Sequence, residues 1–100
     1  MTSAAFHVYI LRCADGSYYV GITTSFIERV AAHNAGEGAA WTACRRPVVL
    51  AYSEVHPNER SAVSRERQLK GWSHQKKAAL ISGDVARLRQ LSKRRRKNAP

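Results

Sequence analysis

The sequence predicts a small α+β domain, in which a three-stranded antiparallel sheet is flanked by helices in the order β-β-α-β-α-α-α. Two apolar runs that meet at Asp15-Gly16 predict a β-hairpin over residues 6–23, because Asp-Gly is a strong turn signal. A third alternating run begins at Val48 and predicts one further strand. Segments with helical spacing follow the hairpin and the third strand, so helices are expected to cover the sheet.

The hairpin register follows from how the side chains sort onto two faces. A three-residue loop over residues 14–16 pairs Tyr9 with Gly21 and Leu11 with Tyr19. One face is then almost wholly apolar, with Phe6, Val8, Ile10, Arg12, Tyr18, Val20 and Ile22. The more polar face has His7, Tyr9, Leu11, Cys13, Ser17, Tyr19, Gly21 and Thr23. A two-residue loop would mix these sets, so the two tyrosines are predicted to share a face, where packing is their ordinary role.

The first helix is predicted from Phe26 to Asn34. Ser25 followed by Glu28 has the spacing of a capping box, which is typical of a helix start. The expected buried side consists of Phe26, Ile27 and Val30. Arg29 and His33 are four residues apart and therefore share a face of this helix, for which an exposed polar surface is the common explanation.

The stretch over residues 34–47 has no regular period and predicts a loop of about a dozen residues, a length that is often functional. Its Trp41 is expected either to contact a ligand or to close the edge of the core. The third strand is predicted over residues 48–55 and ends before Pro57. Simple alternation assigns Val48, Leu50 and Tyr52 to one face and Val49, Ala51 and Ser53 to the other.

The second helix is predicted over residues 58–70 and is closed by Gly71. Its apolar stripe consists of Ala62, Val63 and Leu69. Glu66 falls within this stripe, four residues after the first of them. Because an unpaired buried carboxylate is costly, Glu66 is expected to have a cation beside it, either an arginine or a metal ion.

The rest of the chain is predicted to form two more helices and a tail. Ser73 is a plausible N-cap for a helix to about Ile81, and Asp84 caps a short helix that ends near Leu91. Residues 92–100 are highly charged and poor in apolar residues, so we expect a basic disordered tail after a domain over residues 1–91.

Charge is the strongest global feature of the sequence. Seventeen Lys and Arg residues oppose seven Asp and Glu residues, for a net charge of +10, of which half lies in the run over residues 93–97. A basic body with a basic tail favours nucleic acid as partner, although a solvated basic surface is the plain alternative. No apolar run reaches the length of a membrane span, so a soluble, cytoplasmic protein without membrane contact is expected. Cys13 and Cys44 are expected to be free thiols, with no structural zinc.

An ordered set of residues resembles the GIY-YIG nuclease family over about residues 6–81. The half-motifs are Val8-Tyr9-Ile10 and Tyr19-Val20-Gly21, although Val8 replaces the glycine of the first. Arg29 and His33 follow at the family's four-residue spacing, and Glu66 stands where the family has its metal-binding glutamate. The segment Glu66-Arg67-Gln68-Leu69-Lys70-Gly71-Trp72 is similar to the small stand-alone bacterial members.

The resemblance implies a metal-dependent endonuclease that hydrolyses phosphodiester bonds with one divalent metal, Mg²⁺ or Mn²⁺. It implies Glu66 as the metal ligand. It further implies Arg29 as a phosphate-binding cation and His33 as an aid to proton transfer or phosphate binding. Tyr9 or Tyr19 would activate the water, provided that positive charge stabilises the phenolate. The implied catalytic set is Tyr9, Tyr19, Arg29, His33 and Glu66.

Nucleic acid is the expected partner, DNA rather than RNA, with structured or damaged DNA and a role in DNA repair as candidates. The expected contacts are Arg45, Arg46, Lys70, Lys76 and Lys77. The alternatives are a non-catalytic nucleic-acid-binding module with the same fold, and a protein-interaction domain that uses Trp41 or Trp72.

Overall fold

In the computed structural model, which describes residues 5–97 and the side chains of residues 5–93, three strands form one antiparallel sheet. The strands are β1 (Phe6–Arg12), β2 (Tyr18–Thr23) and β3 (Val49–His56), with β1 in the centre. The helices are α1 (Phe26–Asn34), α2 (Ala40–Ala43), α3 (Glu59–Lys70), α4 (His74–Ser82) and α5 (Val85–Lys97). The predicted α+β class and strand arrangement are confirmed, whereas α2 lies where a loop was predicted.

The hairpin has the predicted register. Tyr9 lies opposite Gly21 and Leu11 lies opposite Tyr19. The turn places Gly16 at φ 86°, a left-handed conformation that glycine adopts without steric cost. The apolar face packs under α3 as a cluster of Val8, Ile10, Val20, Ala62 and Leu69. The other face holds a second cluster of Tyr9, Leu11, Cys13 and Val48, against which Tyr19 packs, so the two tyrosines share a face as predicted.

A β-bulge changes which side chains of the third strand lie on each face of the sheet. The register of β1 with β3 shifts between Ile10 and Leu11, which leaves Ala51 as the extra residue. Val48 therefore packs in the cluster of Tyr9, while Tyr52 packs on the opposite cluster. The prediction that these two side chains share one face is wrong, because simple alternation takes no account of a bulge.

The first helix has the predicted bounds, but two details differ. Ser25 occupies the N-cap position without a side-chain cap bond; instead, its N–H donates to Oγ1 of Thr23 at 3.0 Å. Ile27 was predicted to be buried and is 86% exposed. Since successive helical residues are about 100° apart, the stripe of Phe26 and Val30, four residues apart, leaves Ile27 outside the contact with the sheet.

The helix α3 begins one residue after its predicted start, with Asn58 as its N-cap, and α4 begins at the predicted cap Ser73. Asn58 Oδ1 accepts from the N–H of Ser61 at 2.8 Å, and Ser73 Oγ accepts from the N–H of Lys76 at 3.2 Å. The end of α5 differs from the prediction, because the helix passes Leu91 and ends at Lys97.

The basic segment is therefore helical over residues 92–97, and residues 98–100 lie outside the described part of the chain. Lysine and arginine are good helix formers, and no glycine or proline stops the helix there. The domain boundary at residues 91 and 92 stays a prediction. Cys13 and Cys44 are free thiols. No helix within residues 5–97 is long and apolar enough to span a membrane.

Candidate functional site

The site forms where the buried stripe of α1 meets the polar face of the hairpin. His33 follows Phe26 and Val30 on that stripe, and it is completely buried. Its Nε2 lies 3.2 Å from Oη of Tyr9. The common explanation of an exposed polar face is therefore wrong for His33, although the i, i+4, i+7 spacing contains the signal for an inward histidine.

Tyr9 lies at the centre of the site, with 1% of its surface exposed. Nε of Arg29 donates a hydrogen bond to Oη of Tyr9 at 3.4 Å. Burial is the largest effect on the pKa of Tyr9 and raises it. The hydrogen bond and the positive charge of Arg29 lower this pKa, whereas the charges of Tyr19 and Glu66 raise it further. The positive charge expected to stabilise a phenolate is present, but the net direction keeps Tyr9 protonated at neutral pH.

The second ring nitrogen of His33 also has a partner. Nδ1 lies 2.8 Å from Oγ1 of Thr42, whose hydroxyl donates to the carbonyl oxygen of Ala39 at 3.0 Å. Burial, followed by the nearby charge of Arg29, lowers the pKa of His33, which is therefore neutral at pH 7. The ring of Tyr19 lies 5.1 Å from the imidazole, centroid to centroid.

Thr42 is fully buried and was missed by the sequence analysis. It lies on α2, a four-residue helix inside the segment that was predicted to be a loop. The length of that segment was the only sequence signal for a functional part.

Two glycines let the backbone approach these side chains closely. A Cβ on Gly21 would overlap the phenol of Tyr9, with Cζ only 2.6 Å away. A Cβ on Gly38 would lie 2.7 Å from Cε1 of His33. The expectation that Gly21 leaves space for Tyr9 is confirmed.

Glu66 lies on α3, which packs on the apolar face of the sheet through Ala62 and Leu69. Its side chain is 19% exposed, and its Oε2 forms an ion pair of 3.3 Å with Nζ of Lys70. The side chain paired with Glu66 is thus a lysine, where an arginine or a metal ion was expected, and the metal ion stays a prediction. The charge of Glu66 contributes to raising the pKa of Tyr9, after burial and the charge of Tyr19.

The side chains available as metal ligands suit a metal ion that binds few protein groups. No group of three or more His, Cys, Asp or Glu side chains suited to a metal occurs among the described residues. A single partly exposed carboxylate, completed by water and phosphate oxygens, fits the coordination of Mg²⁺ in enzymes that act on phosphates. Glu66 therefore fits as the one protein ligand.

Arg45 and Trp41 extend the site toward solvent. The guanidinium of Arg45 lies 4.0 Å over the ring of Trp41, and its Nε pairs with Oδ2 of Asp15 at 3.2 Å. Trp41 is 40% exposed and stacks with Tyr19 at 6.1 Å between centroids. Both alternatives for Trp41 stay open, because the ring packs at the edge of the site and also reaches solvent.

The other predicted nucleic-acid contacts lie in different surroundings. Arg46 is exposed and donates to the carbonyl oxygens of Ala43 and Asn34 at 2.9 and 3.3 Å. Lys76 is largely buried, with Nζ 4.4 Å over the ring of Trp72. Burial lowers the pKa of Lys77. The five basic residues therefore do not form one uniform surface.

Replacing Gly21 by alanine is expected to displace the phenol of Tyr9. Overpacking of this kind costs about 1–3 kcal/mol. At roughly 4–8 °C per kcal/mol for a domain of this size, the Tm should fall by several degrees or more. Thermal unfolding followed by circular dichroism measures the change.

The matched control is Gly71→Ala. Gly71 has φ −82°, and a Cβ there would meet only ordinary contacts, the nearest at 3.5 Å. This control should keep its Tm. Equal Tm values for the two variants would contradict the close approach of the Gly21 backbone to Tyr9.

Comparison with known proteins adds independent information. A model of the GIY-YIG catalytic domain matches residues 5–79. A UPF0213 protein of Staphylococcus haemolyticus is 46% identical over 78 residues, which cover 78% of this chain and 95% of that protein. A UPF0213 protein of Halobacterium salinarum is 46% identical over 75 residues, which cover 75% of this chain and 97% of that protein.

Two solution NMR structures are also similar. A UPF0213 protein from Bacillus halodurans is 38% identical, with a TM-score of 0.51 over 78% of this chain and 83% of that one. A protein from E. faecalis is 28% identical, with a TM-score of 0.58 over 85% of this chain and 91% of that one.

Proposed function

Because the chain belongs to the GIY-YIG family and is similar to its UPF0213 proteins, we propose that it is a metal-dependent endonuclease that hydrolyses phosphodiester bonds of nucleic acid. The observation that carries the proposal is the contact of Tyr9 with His33 and Arg29 in a buried site. A protein that only binds nucleic acid has no need of this arrangement.

Tyr9 is the group that we assign to activation of the water. In the free protein it is a phenol, because burial raises its pKa. Neutral His33 presents Nε2 at 3.2 Å as an acceptor for the phenol proton. As water attacks phosphorus, Oη of Tyr9 takes a proton from the water while its own proton passes to Nε2. Tyr9 remains a phenol, His33 becomes an imidazolium, and Tyr19 orients the reacting groups from the same face.

Arg29 is assigned to the phosphate. A guanidinium has five N–H donors, of which Nε–H serves Tyr9. The donors at the other nitrogens suit the non-bridging oxygens of a phosphodiester, whose negative charge increases in the transition state. Arg29 thereby places the phosphate beside the hydroxyl of Tyr9.

Glu66 is assigned to the metal. Nucleases of this family generally use a divalent metal, and we propose Mg²⁺ or Mn²⁺ here, since the one protein ligand is a carboxylate. When bound, the metal supplies polarisation of the phosphate and stabilisation of the leaving oxygen. Glu66 itself contributes a hard oxygen ligand whose charge is already partly offset by Lys70.

The substrate that we propose is DNA rather than RNA, in a structured or damaged form, in cytoplasmic DNA repair. The net charge of +10 supports a polyanionic substrate. We assign contacts to the phosphate backbone to Arg45, Arg46, Lys70, Lys76 and Lys77. Arg46 and Lys70 are the most exposed of them.

A cleavage assay tests the proposal directly. End-labelled branched, nicked, single-stranded and duplex DNA, with RNA of the same sequences, are incubated with Mg²⁺, with Mn²⁺ and with chelator. We expect cleavage that depends on the metal and is strongest on a structured DNA. Binding without cleavage under every metal condition would instead identify a non-catalytic nucleic-acid-binding module.

The basic C-terminal segment is predicted to add affinity without adding chemistry. Deleting residues 93–100 removes five positive charges. Phosphate contacts are blind to sequence, and each contributes a slope of about 0.9 in log affinity against log salt. The truncated protein should therefore bind DNA more weakly at low salt and with a flatter salt dependence, measured by fluorescence anisotropy.

The cleavage pattern of the truncated protein should match that of the full chain. Normal binding together with loss of cleavage would show that this segment contributes to the chemistry instead.

A further inference from the structure

We propose that Thr42 is a positioning residue for this site: its hydroxyl oxygen accepts the Nδ1 proton of His33 and so keeps Nε2 available as the acceptor for Tyr9. The inference rests on the proposed function, in which His33 receives the phenol proton. Thr42 lies outside the motif residues of the sequence analysis, on the short helix α2.

The first argument comes from the single proton of the Thr42 hydroxyl. That hydroxyl donates to the carbonyl oxygen of Ala39 at 3.0 Å. Nδ1 of His33 lies 2.8 Å from the same oxygen atom. Since a hydroxyl has one hydrogen and two lone pairs, Oγ1 of Thr42 accepts at this second contact and Nδ1 carries the proton.

The second argument comes from the opposite side of the imidazole. Arg29 is a donor only, so its contact of 3.4 Å places a lone pair of Oη of Tyr9 toward Nε–H. The phenol hydrogen is then free to be donated to Nε2 of His33, 3.2 Å away, if that nitrogen is unprotonated. A phenol oxygen can also accept a hydrogen bond, so this contact is compatible with either tautomer of His33, and the partner at Nδ1 selects the tautomer in which Tyr9 donates to Nε2.

The surroundings of His33 make this pairing decisive. The side chains of His33 and Thr42 are both fully buried, so water does not replace a lost partner. The backbone at Gly38 lies against the ring, where a Cβ would be 2.7 Å from Cε1. The ring is thus fixed in place, and the partner at Nδ1 determines which nitrogen carries the proton.

The opposite tautomer would disable the site. With the proton on Nε2, the imidazole would donate to Tyr9 and have no lone pair for the phenol proton. Thr42 therefore acts on the reaction through His33 and needs no contact with substrate.

Long-range ¹H–¹⁵N NMR on protein labelled at histidine nitrogens tests the inference without substrate or metal. The signals of His33 are identified by their loss in His33→Gln, since the chain has four histidines. We expect a protonated Nδ1 and an unprotonated Nε2 in the wild type and in Thr42→Ser, which keeps the hydroxyl. Thr42→Val keeps the shape and should shift His33 toward the tautomer protonated at Nε2.

Cleavage rates provide the functional readout. In Thr42→Val, kcat should fall about 10–100-fold with KM unchanged, the range known for loss of a residue that orients a metal-binding histidine. Thr42→Ser should restore the rate to nearly that of the wild type.

Three results would overturn the inference. One is a wild-type His33 protonated at Nε2, which remains decisive even if Thr42→Val fails to fold. Another is a Thr42→Val protein whose tautomer is unchanged, whatever its rate. The third is loss of the Nδ1-protonated tautomer in Thr42→Ser. A wild type that has the expected tautomer but cuts no substrate would overturn the proposed nuclease function alone.

Discussion

Replacing Glu66 by glutamine is expected to abolish nearly all metal-dependent cleavage while the protein stays folded and binds nucleic acid. A metal contributes several kcal/mol to the stabilisation of a phosphoryl transition state. At about 1.4 kcal/mol for each factor of ten, this corresponds to a loss of roughly 10²–10³ in kcat. Binding should persist, because phosphate contacts from the basic surface supply most of the affinity.

The stability of Glu66→Gln separates the metal site from a structural ion pair. The pair with Lys70 is of the i,i+4 type, and the lysine side chain is 52% exposed. Such pairs contribute about 0.3–0.5 kcal/mol, so the Tm should change by no more than about 4 °C. Thermal unfolding and cleavage are measured on the same sample with and without Mg²⁺.

The matched control for this experiment is Glu59→Gln, which removes an exposed carboxylate from the first turn of the same helix. It should cut at the wild-type rate. A Glu66→Gln protein that melts several degrees early yet cuts normally would refute the assignment of Glu66 to the metal.

Replacing Tyr9 by phenylalanine is expected to lower kcat about 10²–10⁴-fold, the usual contribution of a general base. The ring and its packing remain, but the hydroxyl that bridges Arg29 and His33 is lost. Leaving buried polar groups without a partner costs about 1–3 kcal/mol, so a fall in Tm accompanies the loss of activity. Single-turnover cleavage well below the Tm measures the chemical step.

Two further tyrosine variants test whether the loss of cleavage is specific to Tyr9. Tyr18→Phe removes a hydroxyl from the opposite face of the same hairpin, so its cleavage should match the wild type. Tyr19→Phe should lose less activity than Tyr9→Phe, since Tyr19 is assigned to orientation. If Tyr19→Phe lowers kcat more than Tyr9→Phe does, the general base is Tyr19 rather than Tyr9.

The hairpin register was predictable because side chains alternate between the two faces of a strand, which leaves few possible pairings. A slip of one residue would reverse both faces, so the pattern of apolar side chains alone selects the pairing of Tyr9 with Gly21. The cap of α4 was also predictable, since Ser73 acts on the N–H of Lys76, three residues away.

The faces of β3 and α1 were less predictable. A bulge at Ala51 has no signature in the alternation of that strand, because it depends on how β3 pairs with β1. Ile27 was misplaced because apolar character alone does not select the stripe of a helix that meets the sheet.

By itself, the sequence determined the fold class and the hairpin register, which follow from local periodicity, while the five candidate catalytic residues follow from ordered motif positions and stay a prediction. The tertiary structure alone decided that His33 is buried against Tyr9, that a lysine pairs with Glu66, and that Thr42 reaches Nδ1 of His33. These contacts join residues on different elements, so their geometry depends on how helices pack on the sheet. Burial, which sets the pKa directions of Tyr9 and His33, arises from that same packing.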